Sequence, residues 1–192
     1  MGDAHKATVA ETPDTDPRES DQSGWWQTDT NDEVATAPKL WRPIAERLGG
    51  FDVDPASGVE PQPIADTRYT KEDDGLAQPW YGNVWLNPPF SDKTPWYRRL
   101  VKFMNTGDVD RAVAVATVDP SADWFHKWFS TADVICFLDG RDWYLGHGDS
   151  PSFSTMLGCW NPTDELTEWL DDMGTVVEPH HDTDQTTTDK WL

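Results

Sequence analysis

The sequence predicts an α/β domain with a mostly parallel sheet, and three observations carry that expectation. Short apolar runs alternate along the chain with amphipathic stretches of helical period. Two of the runs, RAVAVATV (111–118) and DVICFLDG (133–140), are apolar and β-branched, as strands covered on both faces are. Two further β-like runs, DWYLG (142–146) and SFSTMLGCW (152–160), read as a terminal antiparallel hairpin.

The elements follow in order. APKLWRPIAERL (37–48) places Leu40, Trp41, Ile44, Ala45 and Leu48 on one helical face. Pro43 either starts that helix or kinks it, and Gly49-Gly50 stops it. FDVD (51–54) is a short strand ending at Pro55, and NVWLN (83–87) is a second, closed by Pro88 and Pro89. PWYRRLVKFM (95–104) is a helix with its proline where the first turn tolerates one. SADWFHKWF (121–129) is a helix for which Ser121 is a suitable N-cap. PTDELTEWLDDM (162–173) is the last helix. In such a domain ligands bind outside the carboxyl ends of the strands.

Composition bounds the rest. The chain has 192 residues, about one domain, with 35 acidic and 15 basic residues and a net charge of -20. Of the acids 26 are Asp, and only 7 of the bases are Lys. Such a surface suits a protein of a salt-loving source. Residues 1–23 and 178–192 carry almost no large apolar side chains and read as disordered tails around a domain at 24–177. The 12 tryptophans argue that much of the remainder is folded. No apolar run approaches the roughly 20 residues that cross a bilayer. The N-terminal segment lacks the apolar stretch of a signal peptide, so a cytoplasmic location is expected. Cys136 and Cys159 stand in apolar runs and read as buried thiols. His180 and His181 have no partner at metal-ligand spacing, so no metal is expected.

The strongest chemical signal is Asn87-Pro88-Pro89-Phe90, directly after a strand. Two prolines fix the backbone, so the Asn87 side chain and the Pro88 carbonyl are held at the strand end. Together they offer two acceptors to an amino group with two N–H donors. Phe90 supplies a face on which a planar base can stack. A proline-terminated strand with a capping asparagine is the plainer explanation.

These residues resemble the (D/N/S)PP(Y/F/W) signature of amino-methyltransferases. FDVDPASG (51–58), YTKEDDGL (69–76) and WYGNVWLNPPFS (80–91) together resemble the phage-type DNA N6-adenine methyltransferase family, over most of residues 25–161. The resemblance implies a Rossmann-like, S-adenosylmethionine-dependent methyltransferase fold with helices on both faces. It also implies a site-specific enzyme on double-stranded DNA, with S-adenosylmethionine as methyl donor.

The resemblance assigns roles. Asn87, Pro88, Pro89 and Phe90 would form the catalytic loop. Asp54, Pro55, Ala56 and Ser57 would hold the methionine end of the cofactor, although Gly58 is the only glycine in that loop. Asp74 would accept from the cofactor's adenine amino group, and Asp73 in the same turn could do so instead. Trp26 and Thr28, in Trp26-Gln27-Thr28-Asp29, would meet the methionine end, with Asp29 where the family has proline. Thr36-Ala37-Pro38 is a second candidate for that segment. Glu60 and Asp66 are candidates for the ribose-binding acid. Lys93, Arg98, Arg99 and Lys102 stand against the single acid Asp92 in residues 91–105, a local basic patch for DNA phosphates. A solvated helix face would account for the same charges.

The same acceptors suit the N4 amino group of cytosine. They also suit an RNA or protein-glutamine methyltransferase, and a non-catalytic DNA-binding accessory protein would retain the same fold. A virus or prophage of a halophile, and a restriction-modification partner, both fit the resemblance.

Overall fold

The computed structural model describes residues 35–58, 62–141, 143–145 and 153–179. The two expected tails, apart from Glu178 and Pro179, lie outside the described residues.

The described chain runs α1 (Pro38–Leu48), β1 (Val53–Asp54), β2 (Thr67–Arg68), β3 (Gly82–Leu86), α2 (Thr94–Thr106), β4 (Val109–Thr117), α3 (Asp123–Lys127), β5 (Val134–Leu138), β6 (Thr155–Trp160), α4 (Asp164–Asp171) and β7 (Gly174–Val177). The strands form one seven-stranded sheet in the order β2-β1-β3-β4-β6-β5-β7. β2, β1, β3 and β4 pair in parallel. β6 is antiparallel to both β4 and β5, and β7 is antiparallel to β5. Five strands therefore run one way and two the other, so the sheet is mostly parallel.

Alternation along the strands divides the core. Trp85, Val113 and Val115 pack with Leu40, Ile44, Leu166 and Leu170 of α1 and α4. Val84, Leu86, Ala112, Ala114 and Ala116 pack with Tyr97, Leu100 and Trp124 of α2 and α3. Helices thus cover both faces, and the apolar β4 and β5 follow from burial on both sides. α1 starts with Pro38 in its first turn, runs through Pro43 and ends at Gly49, whose φ of 80° is left-handed.

Two expectations are corrected. Among the described residues, DWYLG is not the partner of SFSTMLGCW: β6 pairs with β5 and β4, and Tyr144 makes an isolated bridge to Thr36. The antiparallel pair is present, but VICFL is its first strand, because β6 fills the gap left between β4 and β5. Ser121 does not cap α3. The Asp119 carboxylate accepts its hydroxyl at 2.8 Å and its backbone N–H at 3.3 Å, and that local turn defers the helix to Asp123. α3 is then only 5 residues long, followed by a 3-10 turn at Phe129–Thr131. The short edge strands β2 and β7, of 2 and 4 residues, are strands only by virtue of their neighbours.

Candidate active site

The chain leaves β1 toward β2 on one side and continues from β3 to β4 on the other. The sheet therefore has its switch point between β1 and β3, where the carboxyl ends of the two strands leave a crevice. A cavity of about 710 Å³ lies there, lined by Asp54, Pro55, Ala56, Ser57, Asp74, Asn87 and Pro89 among others.

The loop after β1 is tied down locally. Asp54 Oδ1 accepts the Ala56 N–H at 3.2 Å. The Tyr69 N–H donates to the Asp54 carbonyl at 2.9 Å, and the Ser57 N–H to the Tyr69 carbonyl at 3.0 Å. Asp54 is 4% and Ser57 6% exposed. The buried Ser57 Oγ has no hydrogen-bond partner among the described residues. Burial pushes the Asp54 carboxyl up from 3.8 to about 7, against the opposing pull of the Ala56 N–H and the Arg68 charge. A buried acid and an unsatisfied hydroxyl, on a loop of small residues, are groups that can bind the charged and hydrogen-bonding end of a ligand.

Across the crevice, β3 ends at Leu86 and Asn87-Pro88-Pro89 passes into a 3-10 turn at Phe90–Asp92. Asn87 Nδ2 donates to Thr36 Oγ1 at 3.2 Å, which sets which end of the amide faces Thr36. Thr36 is 1% exposed and lines the cavity. Its segment is held by the Ala37 N–H on the Trp143 carbonyl at 2.7 Å and the Leu145 N–H on the Ala35 carbonyl at 2.8 Å. The structure thus brings Thr36-Ala37-Pro38 to the loop that carries Asn87. Trp26 and Thr28 lie outside the described residues.

Phe90 is not a bare platform. Its ring stands edge-on to Tyr144 at 6.1 Å and to Phe153 at 5.4 Å, with Lys93 Nζ 5.9 Å from its centroid. Phe90, Tyr144 and Phe153 form an aromatic cluster, and none of the three lines the cavity. Tyr144 and Phe153 escape sequence reasoning because their partner is 54 and 63 residues away.

The turn after β2 resolves the two adjacent acids. The Asp73 carboxylate accepts both the N–H and the hydroxyl of Thr70 at 2.8 Å, so it serves the turn. Asp74 has a φ of 52° and lines the cavity. Gly75 is required beside it, since a Cβ there would stand 1.8 Å from the Pro55 carbonyl oxygen. Of the ribose candidates, Asp66 lies before β2 and lines a separate cleft of about 440 Å³ with Gly49, Gly50 and Asp52, at the amino ends of the strands. It is not among the residues that line the cavity with Asp54 and Asn87. Glu60 lies outside the described residues. The residues that follow β2 into the cavity are Tyr69, Thr70 and Lys71.

The four basic residues do not share one surface. Arg98 and Lys102 are exposed, one turn apart on α2. Lys93 is half-buried, donates to Thr117 Oγ1 at 3.0 Å and lies 4.9 Å from the Trp124 ring centroid. Arg99 turns inward, donating to the Gln78 carbonyl at 2.7 Å and lying 4.5 Å from the Phe103 ring centroid. Burial lowers its pKa. Among the described residues there is no group of three or more His, Cys, Asp or Glu that could hold a metal ion. No helix among them is long and apolar enough to cross a membrane.

A doubly covered, mostly parallel sheet with a proline-locked asparagine at its switch point defines a Rossmann-like methyltransferase acting on amino groups. The particular family follows from a direct comparison. The family model for DNA N-6-adenine-methyltransferase (Dam) matches residues 24–150, so the chain belongs to that family and is an adenine-specific DNA methyltransferase. No curated protein matches the chain.

Proposed function

We propose that this chain uses S-adenosylmethionine to methylate the N6 amino group of adenine at short sites in double-stranded DNA. The observation that carries this reading is one cavity shared by the Asp54–Ser57 loop and Asn87. The loop fits the methionine end of the donor: Asp54 suits its ammonium group, and the Ser57 hydroxyl suits its carboxylate or ammonium. Asp74 suits the adenine amino group. When bound, the donor supplies an electrophilic methyl group.

A base within a duplex cannot reach this cavity, so the target adenine is flipped out, at a cost of a few kcal/mol. Asn87 and the Pro88 carbonyl then accept from its amino group, keep the nitrogen electron-rich and aim it along the transfer direction. Rigid positioning supplies most of the acceleration. The Phe90–Tyr144–Phe153 cluster, outside that cavity, braces the loop that carries Asn87. We take residues 24–177 as the catalytic domain, and a virus or prophage of a halophile as the source.

The test is transfer from labelled S-adenosylmethionine to unmethylated DNA, followed by nucleoside analysis. N6-methyladenine is the expected product. N4-methylcytosine, or label in RNA or protein alone, would overturn the substrate assignment. A chain at -20 repels DNA, but at about 1 M salt the Debye length is only about 3 Å. Activity is therefore expected to be higher in about 1 M KCl than at roughly a tenth of that concentration. A monotonic loss with salt would refute the halophilic source.

The basic residues give a second expectation. Arg98→Ala with Lys102→Ala should weaken DNA binding and flatten its dependence on salt by about one unit of log–log slope per lost phosphate contact. Arg99→Ala should leave that slope unchanged and instead raise the KM for the methyl donor. A reversed pattern in DNA-binding titrations would return Arg99 to the phosphate-contacting surface.

A further inference from the structure

Trp96 lines the cavity although it stands on α2, away from the loops after β1, β2 and β3 that supply most of its other walls. It is half-buried. Its ring stacks on Trp80 at a centroid distance of 6.1 Å and an interplanar angle of 20°. Trp80 is 2% exposed and donates its Nε1–H to the Gly75 carbonyl at 2.8 Å. The Arg99 guanidinium lies 5.6 Å from the Trp80 ring centroid, and Phe103 packs on Trp80 at 5.9 Å. The stack is thus fixed by Trp80 and its neighbours, and Trp96 itself lines the cavity.

The same stack locates Asp74. Trp80 holds Gly75, and Gly75 is wedged against Pro55. Arg99 holds the far end of that turn through Gln78. Trp96 and the Asp74 carboxylate are therefore linked through one rigid set of contacts. An acceptor beside an immobile aromatic ring suits a flat heterocycle that carries an exocyclic amino group.

We propose that Trp96 is the platform on which the adenine ring of the methyl donor stacks, beside the Asp74 already proposed for its amino group. Trp80 and Arg99 are positioning residues that act through Gly75 and Gln78. This assignment rests on the proposed cofactor and extends it to the nucleoside end.

Calorimetric titration of the full chain with S-adenosylhomocysteine tests it. Trp96→Ala should raise Kd roughly 10- to 100-fold, the range that stacking a base on an aromatic ring provides. Trp96→Phe should bind within a few-fold of wild type. Because Trp96→Ala could fail to fold, fluorescence supplies a second readout. The wild-type tryptophan emission should change on titration, and most of that change should vanish in Trp96→Phe while binding persists. Equal Kd values for wild type and Trp96→Ala, or an unaltered fluorescence change in Trp96→Phe, would overturn the platform and leave the proposed cofactor intact. No binding by the wild-type protein would overturn both.

Discussion

Asn87→Ala is expected to lower kcat by about 10³-fold or more while the Kd for S-adenosylhomocysteine stays within a few-fold of wild type. The expectation follows from what Asn87 touches. The asparagine lines the cavity at the end of β3, and its amide nitrogen is committed to Thr36 Oγ1 at 3.2 Å. Its proposed role concerns the acceptor of the methyl group and not the donor. Losing one preorganised hydrogen bond to a reacting group typically removes about 10²–10³ of rate, and losing orientation removes more. The loss should fall on kcat, since the interaction matures during transfer. Single-turnover assays with saturating DNA would measure it. Residual turnover within about tenfold of wild type would remove Asn87 from the catalytic role. Unchanged kcat with a raised Kd for the donor would place it in the cofactor site instead.

Asp54→Asn should make the empty protein more stable at about pH 8 and make it a much poorer binder. Burial raises the folded-state pKa of Asp54 from 3.8 to about 7. Between those values the folded chain keeps a proton that the unfolded chain has released. Stability of the empty protein therefore falls as pH rises through that window and levels off above it. At about 1.4 kcal/mol per unit over about 3 units, the cost above the window is on the order of 4 kcal/mol, which asparagine removes. Thermal melts at about pH 5 and about pH 8 should show a much larger gain for the variant at the higher pH.

The ligand side has the opposite sign. A ligand's ammonium group selects the carboxylate, so binding must expel a proton below about pH 7. Affinity for S-adenosylhomocysteine should then fall up to about tenfold per pH unit below that point and be flat above it. In Asp54→Asn it should be weak and independent of pH between about 5.5 and 8.5. A pH-independent wild-type Kd would show that Asp54 does not meet the ammonium group.

Much of this was legible in the chain. Alternating apolar runs foretold strands covered on both faces, because a strand such as RAVAVATV has no polar side to expose. Asn87-Pro88-Pro89-Phe90 announced a rigid acceptor, because two prolines restrict the backbone whatever surrounds it. Asp54 and Ser57 were legible as a candidate site because an acid and small residues follow a strand. Other features were not. Ser121 looked like a cap because local propensity favours it, but Asp119 competes for the same groups. Arg99 looked like its neighbours Arg98 and Lys102, since charge along a sequence does not reveal which helix face is buried. Asp66 sat close to the right acid position in sequence, yet it stands before β2 and not after it.

The sequence by itself determined the fold class, the proline-locked loop after β3 and the acidic loop after β1, since each depends on residues adjacent in the chain. Only the tertiary structure decided which segments meet at the site. Thr36 reaches Asn87 across 51 residues, Tyr144 reaches Phe90, and Trp96 reaches the cavity by stacking on Trp80. Those meetings follow from the strand order, with β6 inserted between β4 and β5 and the switch point between β1 and β3. Burying both faces of the sheet fixes that order cooperatively, so no local stretch of sequence encodes it.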